Sequence, residues 1–500
     1  MRVKNFREAH TMKKIPLAIS ALAALALIVI FAAIPFYIGT QVEKELAGKI
    51  YELKDYGLAL VVTSIRGGVR SSDVEFDLKI YHPQAAALAP NPARDEKGAY
   101  LTLKGKGVIH HGPVAFGWPI ITPFVAGGEA GLRLPGDVNP VLMGIVQHFF
   151  GDRPPITISA RMGLGDTLRF GFSVPDFNGR LPGNAPGTIQ WGGLSAWLEM
   201  AKDGNSFSMG SEAPGIKIVG SRGDILATDI RLSGKSAKAG DSLWLGGLTF
   251  SIGSMAGRQG KENFQLEDFK YTVGLSENGG NLEIALKIAM KKGQGRDFSI
   301  NPSGLEMKLK GINRALFEDM LKKFLQRNKT VADLSRLLPM MAETWRSYRL
   351  KFRNMPPRLE LTGLNLDTNH GKLRIEGAIE PPWMDPFRRP SPSYMAAGTK
   401  AHLSFKLSKS LVAEVFERHL RQKLRALARN RGLTLDKSVE ERMIKNAIDL
   451  QMGSVLQQKY LVEQGDHYTI DWTLEQGVFK VNGEVQTALL REFLRRLGKN

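Results

Sequence analysis

Beyond its first forty positions, the chain is dominated by strict alternation of apolar and polar residues. Asp73-Val74-Glu75-Phe76-Asp77-Leu78-Lys79-Ile80 sets four apolar side chains against four charges. Ile156 to Met162, Leu168 to Val174, Phe269 to Val273, Leu282 to Ile288 and Leu305 to Leu309 repeat the pattern. Leu373-Arg374-Ile375, Leu403 to Leu407 and Ile470 to Leu474 carry it toward the C-terminus. A period of two marks a strand wet on one face and buried on the other, whereas parallel strands covered on both faces read as unbroken apolar runs. Such runs are scarce here, so the pattern predicts a mainly antiparallel sheet. Proline- and glycine-rich stretches at 82–98, 175–187 and 381–398 separate the strands; five prolines between 381 and 392 exclude helix and central strand there.

Helical spacing is confined mainly to the second half. Ile312, Leu316, Phe317, Met320, Leu321, Phe324 and Leu325 form an apolar stripe bordered by Arg314, Lys322, Lys323 and Arg327. A second helix is expected over 331–348 and a third over 411–430, closed by Gly432. A fourth, N-capped by Asp436, is expected to run to about Gln464. A hairpin over 468–485, turning through Glu475-Gln476-Gly477, and a short helix over 487–497 complete the chain.

The N-terminal residues change the setting. Arg2, Lys4, Arg7, Lys13 and Lys14 precede an uncharged run from Ile15 to Ile38. At about 1.5 Å per residue, a helix over that run would reach about 36 Å, enough for a hydrocarbon core of about 30 Å. The apolar region of a cleaved signal peptide is only about 7–15 residues long. The expectation is therefore an uncleaved transmembrane helix at 15–38, with residues 1–14 a basic cytoplasmic tail. All that follows would then lie in the periplasm, as a β-rich region over 41–300 and a mixed α/β region over 301–500.

Composition narrows the chemistry. The 500 residues include no cysteine, which excludes disulfides, thiol nucleophiles and Cys-ligated metals. The 53 glycines favour turns, and the excess of 19 basic over acidic residues favours anionic partners. Thirteen basic and six acidic residues fall between Glu306 and Glu360. No zinc-finger spacing, RNP-type motif or helix-turn-helix accompanies the charge, so nucleic acid is not an expected partner. Anionic lipid or an envelope polyanion is, with Arg314, Lys322, Lys323 and Arg327 as the candidate contacts.

Candidate catalytic chemistry is sparse. His110-His111-Gly112-Pro113 is the most suggestive run, but neighbouring strand residues point to opposite faces and no third ligand stands at metal spacing. Glu414, Glu417 and His419 lack the His-Glu-x-x-His spacing of a zinc protease and read as an exposed helix face. Phosphate loops and nucleophile elbows are missing, and no lysine follows the Gly-Gly pairs at 67, 192 and 246 as in a phosphate loop. Neither a catalytic residue, a metal site nor a cofactor is assigned.

Several short runs resemble the bacterial YdgA family: Tyr37-Ile38-Gly39-Thr40-Gln41-Val42-Glu43, then Ser64-Ile65-Arg66-Gly67-Gly68 through Ser72. His110-His111-Gly112-Pro113, Asp241-Ser242-Leu243-Trp244-Leu245-Gly246 and Phe479-Lys480-Val481-Asn482-Gly483 are similar to later signatures of that family. The resemblance implies an inner-membrane protein with a periplasmic domain and brings no activity or catalytic residues with it. The expected fold is α+β: one N-terminal transmembrane helix, a large antiparallel sheet region, and amphipathic helices in the C-terminal half. The expected function is a non-enzymatic envelope protein that binds or scaffolds at the membrane and contacts lipid. The alternatives are a periplasmic hydrolase with a dispersed site and an interaction protein supporting surface or motility machinery.

Overall fold

The computed structural model describes residues 50–490 and 492, apart from 54–57, 68–70, 82–92, 96–97, 112–113, 118–119, 137–139, 164–166, 182–186, 222, 241, 261, 296–298, 328–356, 382–391 and 431–435. The chain divides into two units, one of residues 1–218, 232–239 and 323–340, the other of 219–231, 240–322 and 341–500.

In the first unit the strands follow one another as antiparallel neighbours. They are β1 (Ile50–Leu53), β2 (Leu58–Gly67), β3 (Ser71–Ile80), β4 (Ala93–Asp95), β5 (Gly98–His111), β6 (Val114–Gly117) and β7 (Ile120–Arg133). There follow β8 (Ile156–Gly163), β9 (Thr167–Val174), β10 (Phe177–Arg180), β11 (Gly187–Trp191), β12 (Leu194–Ala201) and β13 (Ser206–Gly220). The sheet order is β1-β2-β3-β5-β7-β8-β9-β12-β13.

Residues directly opposite in adjacent strands share a face, so the register shows how the core is built. Val74, Gly107, Ala130, Ile158, Phe172 and Ala196 form one row across six strands. Phe76, Gly105, Leu132 and Ile156 form the next. These rows belong to one core with the fully buried Leu198 and Met200, and side chains of that size contribute about 1.5–3 kcal/mol each on burial. Glycine is required at 105 because the Phe76 ring occupies the space above it: a Cβ there would lie 2.2 Å from the ring. Helix α1 (Pro140–Phe150) packs Phe149 against Phe177 of β10, with ring centroids 4.7 Å apart, and against Ile189 of β11. Proline in its first turn and Gly151 beyond its end, at φ +56° with its N–H bonded to the Gln147 carbonyl, punctuate this helix.

The strands of the second unit are longer. After β14 (Gly223–Lys238), whose residues divide between the units, come β15 (Trp244–Gln259), β16 (Glu262–Asn278), β17 (Asn281–Met290), β18 (Lys292–Gln294), β19 (Ser299–Ile300) and β20 (Ser303–Asn313). They continue as β21 (Arg358–Thr368), β22 (Gly371–Glu380), β23 (Lys400–Ser408), β24 (Val462–Gln464), β25 (His467–Glu475), β26 (Val478–Val481) and β27 (Glu484–Val485). The order β15-β16-β17-β20-β21-β22-β23-β25-β26-β27 is antiparallel throughout. Two-residue turns with both central residues at positive φ join β16 to β17 (Gly279-Gly280), β25 to β26 (Gln476-Gly477) and β26 to β27 (Asn482-Gly483). That backbone matches the twist of the flanking strands. Helix α2 (Arg314–Arg327) follows β20, and α3 (Pro392–Gly398) precedes β23. Helices α4 (Lys409–Asn430) and α5 (Lys437–Gln457) fall between β23 and β24.

The architecture corrects the α+β expectation. The described residues are 64% strand and 22% helix, so the fold is mostly antiparallel β with helices inserted between strands. The excess of strand arises because β15 and β16 run 16 and 17 residues, well past the short alternating kernels that announce them. No helix among the described residues is long and apolar enough to cross a membrane. The transmembrane helix expected at 15–38 lies outside the described residues and gains no support. The helix expected over 331–348 also lies outside them; of that expected over 487–497, residues 487–490 and 492 are described and are helical. The fourth helix has the expected cap, with Asp436 accepting from the N–H groups of Ser438 and Val439. It stops at Gln457, where Lys459 at φ +56° turns the chain into β24.

Replacing Gly105 with Ala should therefore lower the stability of the first unit by about 1–3 kcal/mol in urea unfolding, the usual cost of overpacking. Gly274→Ala in β16, where a new Cβ would meet only the Gly246 carbonyl oxygen at 3.8 Å, should stay within about 0.5 kcal/mol.

Candidate functional site

The second sheet has two chemically opposite faces. On one, Leu248, Val273, Leu286, Met307 and Leu361 stand in register from β15 to β21, and the row continues through Gly377, Leu403 and Trp472. A parallel row runs from Phe250 through Tyr271, Ile288, Leu305 and Leu364 to Ile375, Phe405 and Ile470. Nearly all of these side chains are half-buried, and Trp472 is 38% exposed. The equivalent rows of the first unit, by contrast, end in a closed core. At about 4.8 Å between strands, the eight strands of each row span about 34 Å. Toward the far edge Trp472 packs between Phe405, tilted to it at 4.6 Å between ring centroids, and Phe479, edge-on at 5.9 Å.

The opposite face is a ladder of ion pairs. Lys308 Nζ lies 3.2 Å from Glu283, and Lys310 Nζ lies 2.6 Å from Glu360. Arg358 bridges Glu360 and Glu380 at 3.2 Å and 3.4 Å. The Lys310 hydrogen bond holds the Glu360 carboxyl below its ordinary value, and the same bond raises Lys310. Pairs of this kind, diagonal across neighbouring strands or two residues apart on one strand, favour the register while keeping that face wet.

Helix α2 starts beside the β16–β17 turn, its first residue donating its N–H to the Gly280 carbonyl at 3.1 Å. Asn313 caps it by accepting from the Leu316 N–H at 3.0 Å. Beside it Leu282, opposite Ile312 and Glu277, is fully buried. Arg314 donates to Glu277 at 2.6 Å and lies 3.9 Å from Glu318, and the Glu277 bond raises its pKa. The structure thus commits Arg314 to fastening the helix to β16. Lys322 is exposed on the same helix. Lys323 and Arg327 lie on α2 as well, but their side chains are outside the described set. The four candidate residues share one element, then, and Arg314 is held in an internal ion pair.

Other residues singled out in the sequence have architectural partners. His110 and His111 lie on β5, opposite Gly127 and Ala126 of β7; Gly112 and Pro113 are outside the described residues. Glu414 is half-buried rather than simply exposed: it bonds Arg418 one turn on and lies 3.5 Å from His370 of the β21–β22 turn. Glu417 bonds Arg421, and only His419 of that trio is exposed. A residue the sequence did not single out, Glu440, is buried on α5 and accepts from Arg425 at 3.0 Å and Arg421 at 3.4 Å of α4. Among the described residues no three His, Asp or Glu side chains are grouped to hold a metal ion.

A family described as bacterial protein of unknown function (DUF945) matches residues 12–486, both units included. The chain belongs to that family. No curated protein and no solved structure matches it. The two-faced sheet is therefore the main physical guide to what this DUF945 chain does.

The charged face makes a pH prediction. A carboxyl depressed on folding stabilises the native state above the ordinary carboxylate range and loses that contribution as pH falls through its lowered value. Glu360→Gln should therefore lower the thermal midpoint at neutral pH, by about 2–4 °C at most for a largely solvent-screened pair. The difference from wild type should shrink toward zero in strong acid. A gap that persists unchanged in acid would assign the effect to packing.

Proposed function

We propose that this DUF945 chain is a non-enzymatic protein of the bacterial cell envelope that binds at the membrane and contacts lipid, and that it belongs with the YdgA-like members resembled by its short motifs. The observation that carries this reading is the half-buried apolar face of the second sheet, eight strands wide. Apolar surface on that scale is a binding surface in most proteins, because leaving it in water is costly. The excess of 19 basic residues favours an anionic partner. Lys322, Lys323 and Arg327 are the proposed contacts to anionic head groups; Arg314, engaged with Glu277, is no longer among them. Periplasmic placement rests on the sequence of residues 2–38 alone, basic and then apolar.

Native mass spectrometry of the protein extracted from membranes should find co-purifying lipid; a clean apo-protein would count against the reading. Protease added to spheroplasts should digest the chain beyond Gln41, whereas full protection would overturn the location. Charge reversal at Lys322 and Lys323 should weaken binding to anionic vesicles, most clearly at low salt, and leave neutral vesicles unaffected. Equal binding by the reversed protein would remove α2 from the lipid surface.

A further inference from the structure

We propose that the wet face of the first unit's sheet carries a site for a phosphorylated sugar, in which Arg161 and Arg169 take the phosphate and the groups around Trp197 take the sugar. This site lies in the other unit from the lipid-contacting face proposed above and does not depend on it.

Arg161 of β8 and Arg169 of β9 stand directly opposite one another on that face, which puts their Cβ atoms about 4.5–5.5 Å apart. Like charges so placed are destabilising. Elsewhere the chain answers such pairs. Lys310 and Arg358 share Glu360, and Arg374, opposite Lys406, is bound to Glu376. Arg133, opposite Lys104, donates to the Asp152 carbonyl. Arg161 and Arg169 are both exposed, and among the described residues neither forms an ion pair with a carboxylate. A local rule broken without internal compensation is expected at a functional site. Two adjacent guanidinium forks match the oxygens of a phosphate group.

Trp197 of β12 orients one of the forks. The Arg169 guanidinium lies over its ring, 5.2 Å from the centroid, a contact that positions the cation but offers it no oxygen. Gly171 and Gly210 flank Trp197 in register on the two neighbouring strands, and a Cβ at 210 would come 2.8 Å from the indole nitrogen. The half-buried ring therefore lies low on the sheet, over the backbone of β13. Ser195 stands two residues before it on the same strand, opposite Ser173, and both share its face. Glu199, opposite Arg169, and Glu129, diagonal to Arg161, complete the rim. These carboxylates work against a bare phosphate but accept well from hydroxyl groups. A sugar ring offers an apolar C–H face to the indole and hydroxyls to the serines and glutamates, and a phosphate on it answers the arginines. The excess of 19 basic residues favours such an anionic ligand.

Isothermal titration of the full chain with glucose 1-phosphate should show saturable binding at millimolar concentrations. Inorganic phosphate, glucose and dihexanoyl phosphatidic acid should each bind more weakly. Arg161→Gln and Arg169→Gln should each weaken glucose 1-phosphate binding by about tenfold or more, the loss of a charge-assisted hydrogen bond. Arg161→Lys, which keeps the charge without the fork, should recover only part of it. Trp197→Leu should weaken glucose 1-phosphate more than inorganic phosphate, since it removes the sugar's platform as well as the support of Arg169. Lys287→Gln on the second sheet should bind like wild type. Without ligand, Arg161→Gln should unfold at an unchanged or higher temperature, because it relieves the repulsion with Arg169. Unchanged binding by both glutamine variants, or no binding of glucose 1-phosphate by the wild type, overturns the proposal. Inorganic phosphate binding as tightly as glucose 1-phosphate would overturn the sugar assignment and leave a free-phosphate site. Tighter binding of dihexanoyl phosphatidic acid would overturn it in favour of a lipid head group.

Discussion

Antiparallel register is the constraint on which the rest of this structure depends. Because side chains alternate faces, a slip of one residue between two strands would exchange an entire apolar row with an entire charged one. In the second unit such a slip would carry Leu286 and Ile288 into the positions of Lys287 and Ala289, facing Glu306 and Gly304 rather than Met307 and Leu305. The ion-pair ladder and the apolar rows therefore specify the same alignment from opposite sides. Neither contributes much alone at the surface, since exposed pairs are worth little. Together they leave one register in which no charge is stranded among hydrocarbon.

The two units carry this common pattern to different outcomes. In the first, Phe76 lies over Gly105 and α1 brings Phe149 onto the neighbouring hairpin, so the apolar rows end in closed cores. In the second, equally regular rows stay half-buried along their length, with α4 lying against β22 and β23 and α3 against β25. Ionisable groups in the second unit are turned to fastening elements together. Arg314 holds α2 to β16, Glu414 and Arg418 hold α4 to the β21–β22 turn, and Glu440 draws α4 and α5 together.

Much of the sheet is legible in the sequence because one side of each strand is wet. Asp73–Ile80 and Leu282–Ile288 announce themselves by alternation alone, and Asp436 announces the start of α5. Strand length is less legible. Glycines 105, 107, 246 and 257 break the alternation in one dimension, yet they sit within long strands, and Phe76 and Phe264 fill the space over 105 and 257. Helix α1 escapes a periodicity reading because Val141, Leu142, Met143, Ile145 and Val146 surround its axis with apolar residues; only Pro140 and Gly151 mark its ends. The open face is the least legible feature. Alternation in β3 and in β17 looks alike, and whether a layer lies above it is decided by segments far away in the chain. Arg314 illustrates the same limit: its neighbours in sequence suggest a basic rim, whereas Glu277, 37 residues earlier, claims it.

The tight two-residue turns have a consequence for how the molecule is assembled. Gly279-Gly280, Gln476-Gly477 and Asn482-Gly483 each return the chain directly onto the strand just made. Pairings of this kind close short loops, which costs little chain entropy and keeps contact order low for a β protein. Strands β15 to β17 can thus zip onto one another in sequence as the chain emerges, each providing the template edge for the next. The joins between β20 and β21 and between β23 and β25 are of another kind. Each must wait for a long excursion, 314–357 in one case and 409–466 in the other, to return before the edge is capped. The unpaired edges of β20 and β23 are therefore the surfaces exposed longest during folding, and the places where association with another chain competes with completion of the sheet.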